Sequence, residues 1–211
     1  MRTRFILAFV VLAATAVAAQ QVVDRIVATV EGDVITLSEV RELAAFNRLT
    51  GQAQLTDEQL LERLINQWIV TTEAAAARVP MMPSDQVEGV YKQLVAESPS
   101  PEAYLARLRE LDLGEAAVRR QLARQLFLAR YLDQKFRFLV RVEEAAIETY
   151  YRETLSPQLA ARGQTAPRLE TVRQQILEVL TQQEITRMAE QWLEESRARL
   201  RIERRGERRT P

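Results

Sequence analysis

The 211-residue chain contains no cysteine and no histidine. Disulfides are therefore excluded, and so are the Ser-His and Cys-His arrangements of nucleophilic catalysis and most zinc chemistry. Glycine is scarce, six residues at Gly32, Gly51, Gly89, Gly114, Gly163 and Gly206. All stand singly, so no glycine-rich loop is available to cradle a phosphate, and nothing supports nucleotide-driven action. Neither sign of charge is in excess, with 29 basic and 29 acidic residues. That balance argues against a general nucleic-acid binder. Carboxylate pairs do occur, at Asp57-Glu58, Glu143-Glu144 and Glu194-Glu195. Their residue type is capable of acid/base work, but the first two pairs fall in first turns of predicted helices, where acids complement the helix dipole, and the third reads as a solvated face. No cofactor or metal is implied.

What is present begins with a hydrophobic leader. Arg2 and Arg4 precede an apolar run from Phe5 to Val17, and Ala16-Val17-Ala18-Ala19 supplies small residues for cleavage. This predicts a secretory signal peptide over residues 1–19, because the run is shorter than the ~20 residues that a spanning helix needs. Without Arg2 and Arg4, 27 basic residues face 29 acidic ones. A lipid anchor is not expected, since no cysteine follows the run. The other end is arginine-rich, from Arg197 to Arg209. A solvated tail and weak contact with an anionic membrane surface both fit that composition.

Between these ends, 47% hydrophobic residues suffice for a core. Ile26, Ala28 and Val30 alternate with Val27 and Thr29 as in a strand, Glu31-Gly32 makes a tight turn, and Val34-Ile35 begins the return. Thr36 with Glu39, and Thr56 with Gln59, form capping boxes that open helices near Leu37 and Asp57. Ser84 is expected to cap a third helix, and Ser100 followed by Pro101 opens a fourth. A fifth spans about Glu115 to Phe136 with an apolar stripe wide enough to need partners on two sides. An extended link over Phe138 to Val142, a helix from Glu144 to Glu153 and a loop from Ser156 to Pro167 follow. A last helix runs from Leu169 to about Arg197, and Leu200 and Ile202 then alternate with arginines as a short strand. Such a strand needs a sheet, and the opening hairpin is the other strand material, so the two ends of the chain are predicted to meet. The fold class expected is mainly α, with a small antiparallel sheet built from the N-terminal hairpin and the C-terminal strand. One domain over 20–211 is expected, its core from about 22–55 and 168–204 and its helical part from about 56–153.

Trp68 and Trp192 sit on inward stripes and read as core. Phe46, Met81, Met82, Tyr91 and Tyr104 are the candidate binding residues. Met81-Met82 lies between prolines, and the three aromatics lie near helix edges, where adaptable or amphipathic side chains could meet an unfolded polypeptide. Core packing is the competing role for each.

The order of these parts resembles the SurA family of periplasmic chaperones. The likeness is carried by the leader, the segment Asp24 to Val40, the helix Leu61 to Ile69, and the ending Val172 through Gln191-Trp-Leu-Glu-Glu-Ser-Arg-Ala-Arg-Leu-Arg-Ile. The resemblance implies a SurA N-terminal-like module, exported to the periplasm, that binds unfolded or partly folded polypeptides without ATP, outer-membrane or secreted proteins among them. Family members commonly insert parvulin isomerase domains before the returning helix. Here Thr154 to Arg168 occupies that place, far short of the ~40 residues a folded domain needs. With no histidine or cysteine either, prolyl isomerase activity is not expected. An adaptor that uses the same helical module to bind one folded envelope partner, or itself, is the alternative.

Overall fold

The computed structural model describes residues 24–205. The predicted leader and the last arginines of the tail lie outside them. The chain is mainly α-helical, with one three-stranded antiparallel sheet. β1 (Ile26–Val30) pairs with β2 (Asp33–Thr36) on one side and with β3 (Ile202–Arg204) on the other. Val30 faces Ile202 and Thr29 faces Glu203, so the two ends of the chain do meet. The terminal strand begins at Ile202 rather than Leu200; Leu200 packs against the cluster beneath the sheet instead.

Glu31 and Gly32 turn the hairpin with φ of 50° and 97°, the left-handed geometry that two-residue hairpins use. Turn preference alone would favour Asn at the first position. The Glu31 carboxylate, however, accepts the backbone N–H of Arg201, and its own N–H donates to the Arg201 carbonyl at 3.0 Å. The residue that strains the turn thus also ties down the C-terminal segment.

Both capping boxes form. The Thr36 N–H donates to Glu39 Oε2 at 2.8 Å, and the Thr56 N–H to Gln59 Oε1 at 3.0 Å. They open α1 (Leu37–Leu49) and α2 (Asp57–Ala76). α3 (Ser84–Ala96) begins at Ser84 instead of being capped by it; Pro83 holds the cap position and has no side chain to donate or accept. α4 (Pro101–Glu110) is capped by Ser100. α5 (Glu115–Phe136) is the spine of the molecule. Its start packs with Phe46, Tyr91 and Tyr104, its middle with α2 through Phe127 and Tyr131, and its end with the last helix through Phe136. The expected extended link contains a 3-10 turn, Arg137–Leu139. α6 (Glu144–Tyr150) passes through a π-helical turn, Tyr151–Leu155, into α7 (Ser156–Ala161). The expected loop from Ser156 is therefore partly helix: the chain stays helical through the π-helical turn that immediately precedes Pro157, so this proline does not end the helix.

α8 (Leu169–Arg197) returns along the whole body. Its first half packs Val172 and Ile176 on Ile147 of α6, and its second half packs Ile185 and Ala189 on Phe136. Trp192 touches three clusters, beneath the sheet, between α2 and α5, and beside Phe136. At the end of α8, Arg197 and Arg204 both close on Glu62 of α2, and Arg197 Nε also donates to Asn66 Oδ1 at 2.9 Å. Burial pushes the Glu62 carboxyl up, but the two guanidinium groups outweigh it and hold the group below the usual carboxylate range.

Candidate functional site

The five candidate residues part company. Phe46, Tyr91 and Tyr104 belong to the core shared by α1, α3, α4 and α5, with 0%, 6% and 2% of their surfaces exposed. The Tyr91 and Tyr104 rings meet edge to face at 6.0 Å. The Tyr91 hydroxyl donates to Glu115 Oε2 at 2.6 Å, and the Arg119 guanidinium lies 3.6 Å above its ring. Burial first, and the Glu115 carboxylate second, push the Tyr91 phenol up; the same hydrogen bond, followed by Arg119, holds Glu115 down. This is a structural network that locks α3 to α5. These three aromatics line no open groove, because α1 is covered on two faces: Val40 and Leu43 point under the sheet, whereas Ala45 and Phe46 point toward α3 and α5.

Met82 and Met81 lie on the way from α2 to α3. Met82 is half-buried against both the Tyr91 cluster and the Phe127 cluster. Met81 beside it is 63% exposed. The guanidinium of Arg130 on α5 donates to the Pro80 carbonyl and pins this segment.

One outward apolar pair was missed in the sequence. Phe138 and Leu139, in the 3-10 turn after α5, are 67% and 52% exposed. They are held there by Arg137, whose fork grips Glu178 of α8 at 2.6 and 2.9 Å and whose Nε donates to Asp133 at 2.9 Å. The Arg137 fork draws the Glu178 carboxyl down to about 2. The next residue of α8, Val179, is itself 40% exposed. The available signal was the adjacent pair of large apolar residues past the helix end, which reads equally well as a strand turned inward.

Two neighbouring clefts run along α1. The first, about 370 Å³, has Val27, Leu37, Val40 and Leu61 for a floor and Arg25, Asp57, Glu58, Arg204 and Arg205 for a rim. Val27 reaches it through a β-bulge: Ile26 pairs with Thr36 and Ala28 with Ile35, which leaves Val27 as the extra residue. Such bulges re-aim a side chain. The second cleft, about 300 Å³, lies under the α1–α2 connection and is lined by Arg41, Ala44, Asn47, Arg48, Gln54, Leu55, Asp57 and Leu60. Asp57 belongs to both, so the two adjoin across the first turn of α2. Each is large enough for an apolar side chain or a short stretch of backbone.

Among the described residues, no cluster of three or more acidic side chains is placed to hold a metal ion, and no helix is long and apolar enough to cross a membrane. What the arrangement offers is contact: fixed, outward apolar side chains and a groove with an apolar floor and a rim of both charges. No family model and no curated protein matches the chain.

Proposed function

We propose that this chain is an exported, ATP-independent chaperone that holds unfolded or partly folded polypeptides, outer-membrane or secreted proteins among them, without isomerising prolines. The observation that carries the reading is the display of Phe138 and Leu139 on a turn clamped by Arg137 to Glu178 and Asp133. A surface apolar pair is usually incidental; one braced outward by a three-residue ion network is preorganised for contact. The order of segments, which resembles that of SurA-like chaperones, supports the same reading.

The magnitudes suit holding rather than permanent binding. Burying a large apolar side chain contributes about 1.5–3 kcal/mol. Phe138, Leu139 and Val179 are already partly covered, so contact with one client segment gains on the order of 3–6 kcal/mol. Association itself costs several kcal/mol. A net affinity weaker than micromolar, which would need about 8 kcal/mol, follows, and it permits release.

The test is aggregation of a chemically denatured client diluted into buffer with and without the mature protein. Slower aggregation at a several-fold excess of the protein, with no nucleotide, is expected, together with an unaltered rate in a proline-limited peptide isomerisation assay. Unchanged aggregation with no crosslink to the client would overturn the reading.

A further inference from the structure

With no cysteine in the chain, the thioethers of Met81, Met82 and Met188 are the sulfur of the described residues. Two of them stand side by side between Pro80 and Pro83, on the connection from α2 to α3. Met81 is 63% exposed, and Met82 is half-buried. Met82 packs on both the cluster of Val87 and Tyr91 and the cluster of Phe127 and Tyr131, and among the described residues no other apolar side chain is shared by those two. It is the joint between α3 and the α2–α5 pair. Little else holds the start of α3. The helix begins without a side-chain cap, since Pro83 occupies the cap position, and the Arg130 guanidinium fixes the Pro80 carbonyl, two residues before Met82. From its second turn onward α3 is secured independently, by Glu88 to Arg119 at 2.9 Å and Tyr91 to Glu115 at 2.6 Å.

We propose that Met81-Met82 is a reversible oxidation site whose modified form releases the first turn of α3. The oxidant is of the hypochlorous acid class. The thioether sulfur attacks chlorine and expels hydroxide; hydroxide then displaces chloride from sulfur and gives up its proton, leaving a sulfoxide. Sulfur has lost two electrons, and chlorine has gained them. Met81 reacts first because it is the more exposed, but its sulfoxide stands in solvent and changes little. A sulfoxide on Met82 places a polar S=O group between two apolar clusters, where it is destabilising without a partner. The uncapped first turn of α3 then leaves the wall and uncovers Val79, Val87 and the Phe127 and Tyr131 side chains. Reduction back to the thioether by a methionine sulfoxide reductase restores the joint. The inference does not rest on the chaperone reading.

The experiment treats mature wild type and Met82→Leu with hypochlorous acid, maps the oxidised residues by peptide mass, and follows melting temperature and amide hydrogen exchange. Leucine keeps the size and apolar character of methionine, so the untreated proteins should melt within about 5 °C of each other. Met81 and Met188 stay oxidisable in both. Wild type that carries the Met82 sulfoxide should melt about 3–10 °C lower than before treatment, and its amides over residues 79–89 should exchange faster. Treated Met82→Leu should shift by less than about 2 °C, and the reductase should return treated wild type to its starting temperature. A Met82 thioether that survives an excess sufficient to oxidise all of Met81 overturns the proposal. So does an equal fall in the two proteins, which assigns the effect to Met81 or Met188. Unchanged exchange over 79–89 in wild type carrying the Met82 sulfoxide overturns it as well, and that measurement needs no variant.

Discussion

The closure of the chain on itself can be measured as a coupling energy between Val30 and Ile202, which are 172 positions apart and face each other across β1 and β3. Val30 is fully buried, and Ile202 is half-buried against the same cluster. Val30→Ala removes two methyl groups from a site with no free volume, at about 1 kcal/mol each, so a loss of about 2 kcal/mol is expected. Ile202→Ala removes more atoms from a less buried site and should cost about 1–2 kcal/mol. Because each side chain packs on the other, the double mutant should lose less than the two singles together, by about 0.5–1 kcal/mol. Urea unfolding followed by tryptophan fluorescence suits the assay, since Trp68 and Trp192 both touch this cluster. Each single mutant should also melt about 4–8 °C lower per 2 kcal/mol for a domain of this size. Losses that add to within about 0.3 kcal/mol would mean that the two residues do not meet in solution, and the pairing of the chain ends would be refuted.

Acid should loosen the same seam. The Glu62 carboxyl, held below the usual range by Arg204 and Arg197, titrates lower in the folded chain than in the unfolded one. Its contribution is therefore complete above the ordinary glutamate value of 4.5 and disappears as pH falls through the lower folded value. Glu62→Gln should lower stability at pH 7 and flatten the acid limb of the stability curve; an acid limb as steep as wild type would contradict the assignment. Gly32→Ala meets no atom within 4 Å, but a φ of 97° is unfavourable for any side chain, so a loss of about 1 kcal/mol or more is expected in the same unfolding assay, and no loss would argue against the left-handed turn. Replacing Phe138 and Leu139 by serine should leave stability within about 0.5 kcal/mol per residue, because both are mostly exposed. Client affinity, measured by fluorescence anisotropy, should fall at least about fivefold, and full retention would remove this turn from the binding surface.

Local rules made much of the fold legible. The capping boxes at Thr36 and Thr56 need only residues three apart, and both form. The pairing of the ends followed from a strand pattern at Ile202 that otherwise lacked a partner. The binding surface was harder to read, because periodicity marks an apolar stripe without saying what covers it. Phe46 lies on the second of two buried faces of α1, and Tyr91 and Tyr104 cover each other. Phe138 and Leu139 stay outside because Arg137 reaches Glu178, 41 residues away in sequence. The burial of Asn47 in the core gave no warning at all, as a polar residue on a helix is ordinarily a solvated one. The α7 helix was hidden by Pro157, which ordinarily breaks a helix interior but here directly follows a π-helical turn.

The central claim, that the chain holds unfolded polypeptides on its braced apolar turn, is tested most directly by site-specific photocrosslinking. Benzoylphenylalanine in place of Phe138 is compared with the same group in place of Arg107, an exposed residue of α4 at the other end of the spine helix. With a denatured outer-membrane protein as client and no nucleotide present, position 138 should crosslink strongly and position 107 weakly, and the crosslink should vanish when the client is allowed to fold first. Equal crosslinking at the two positions, or none at position 138, would contradict the account.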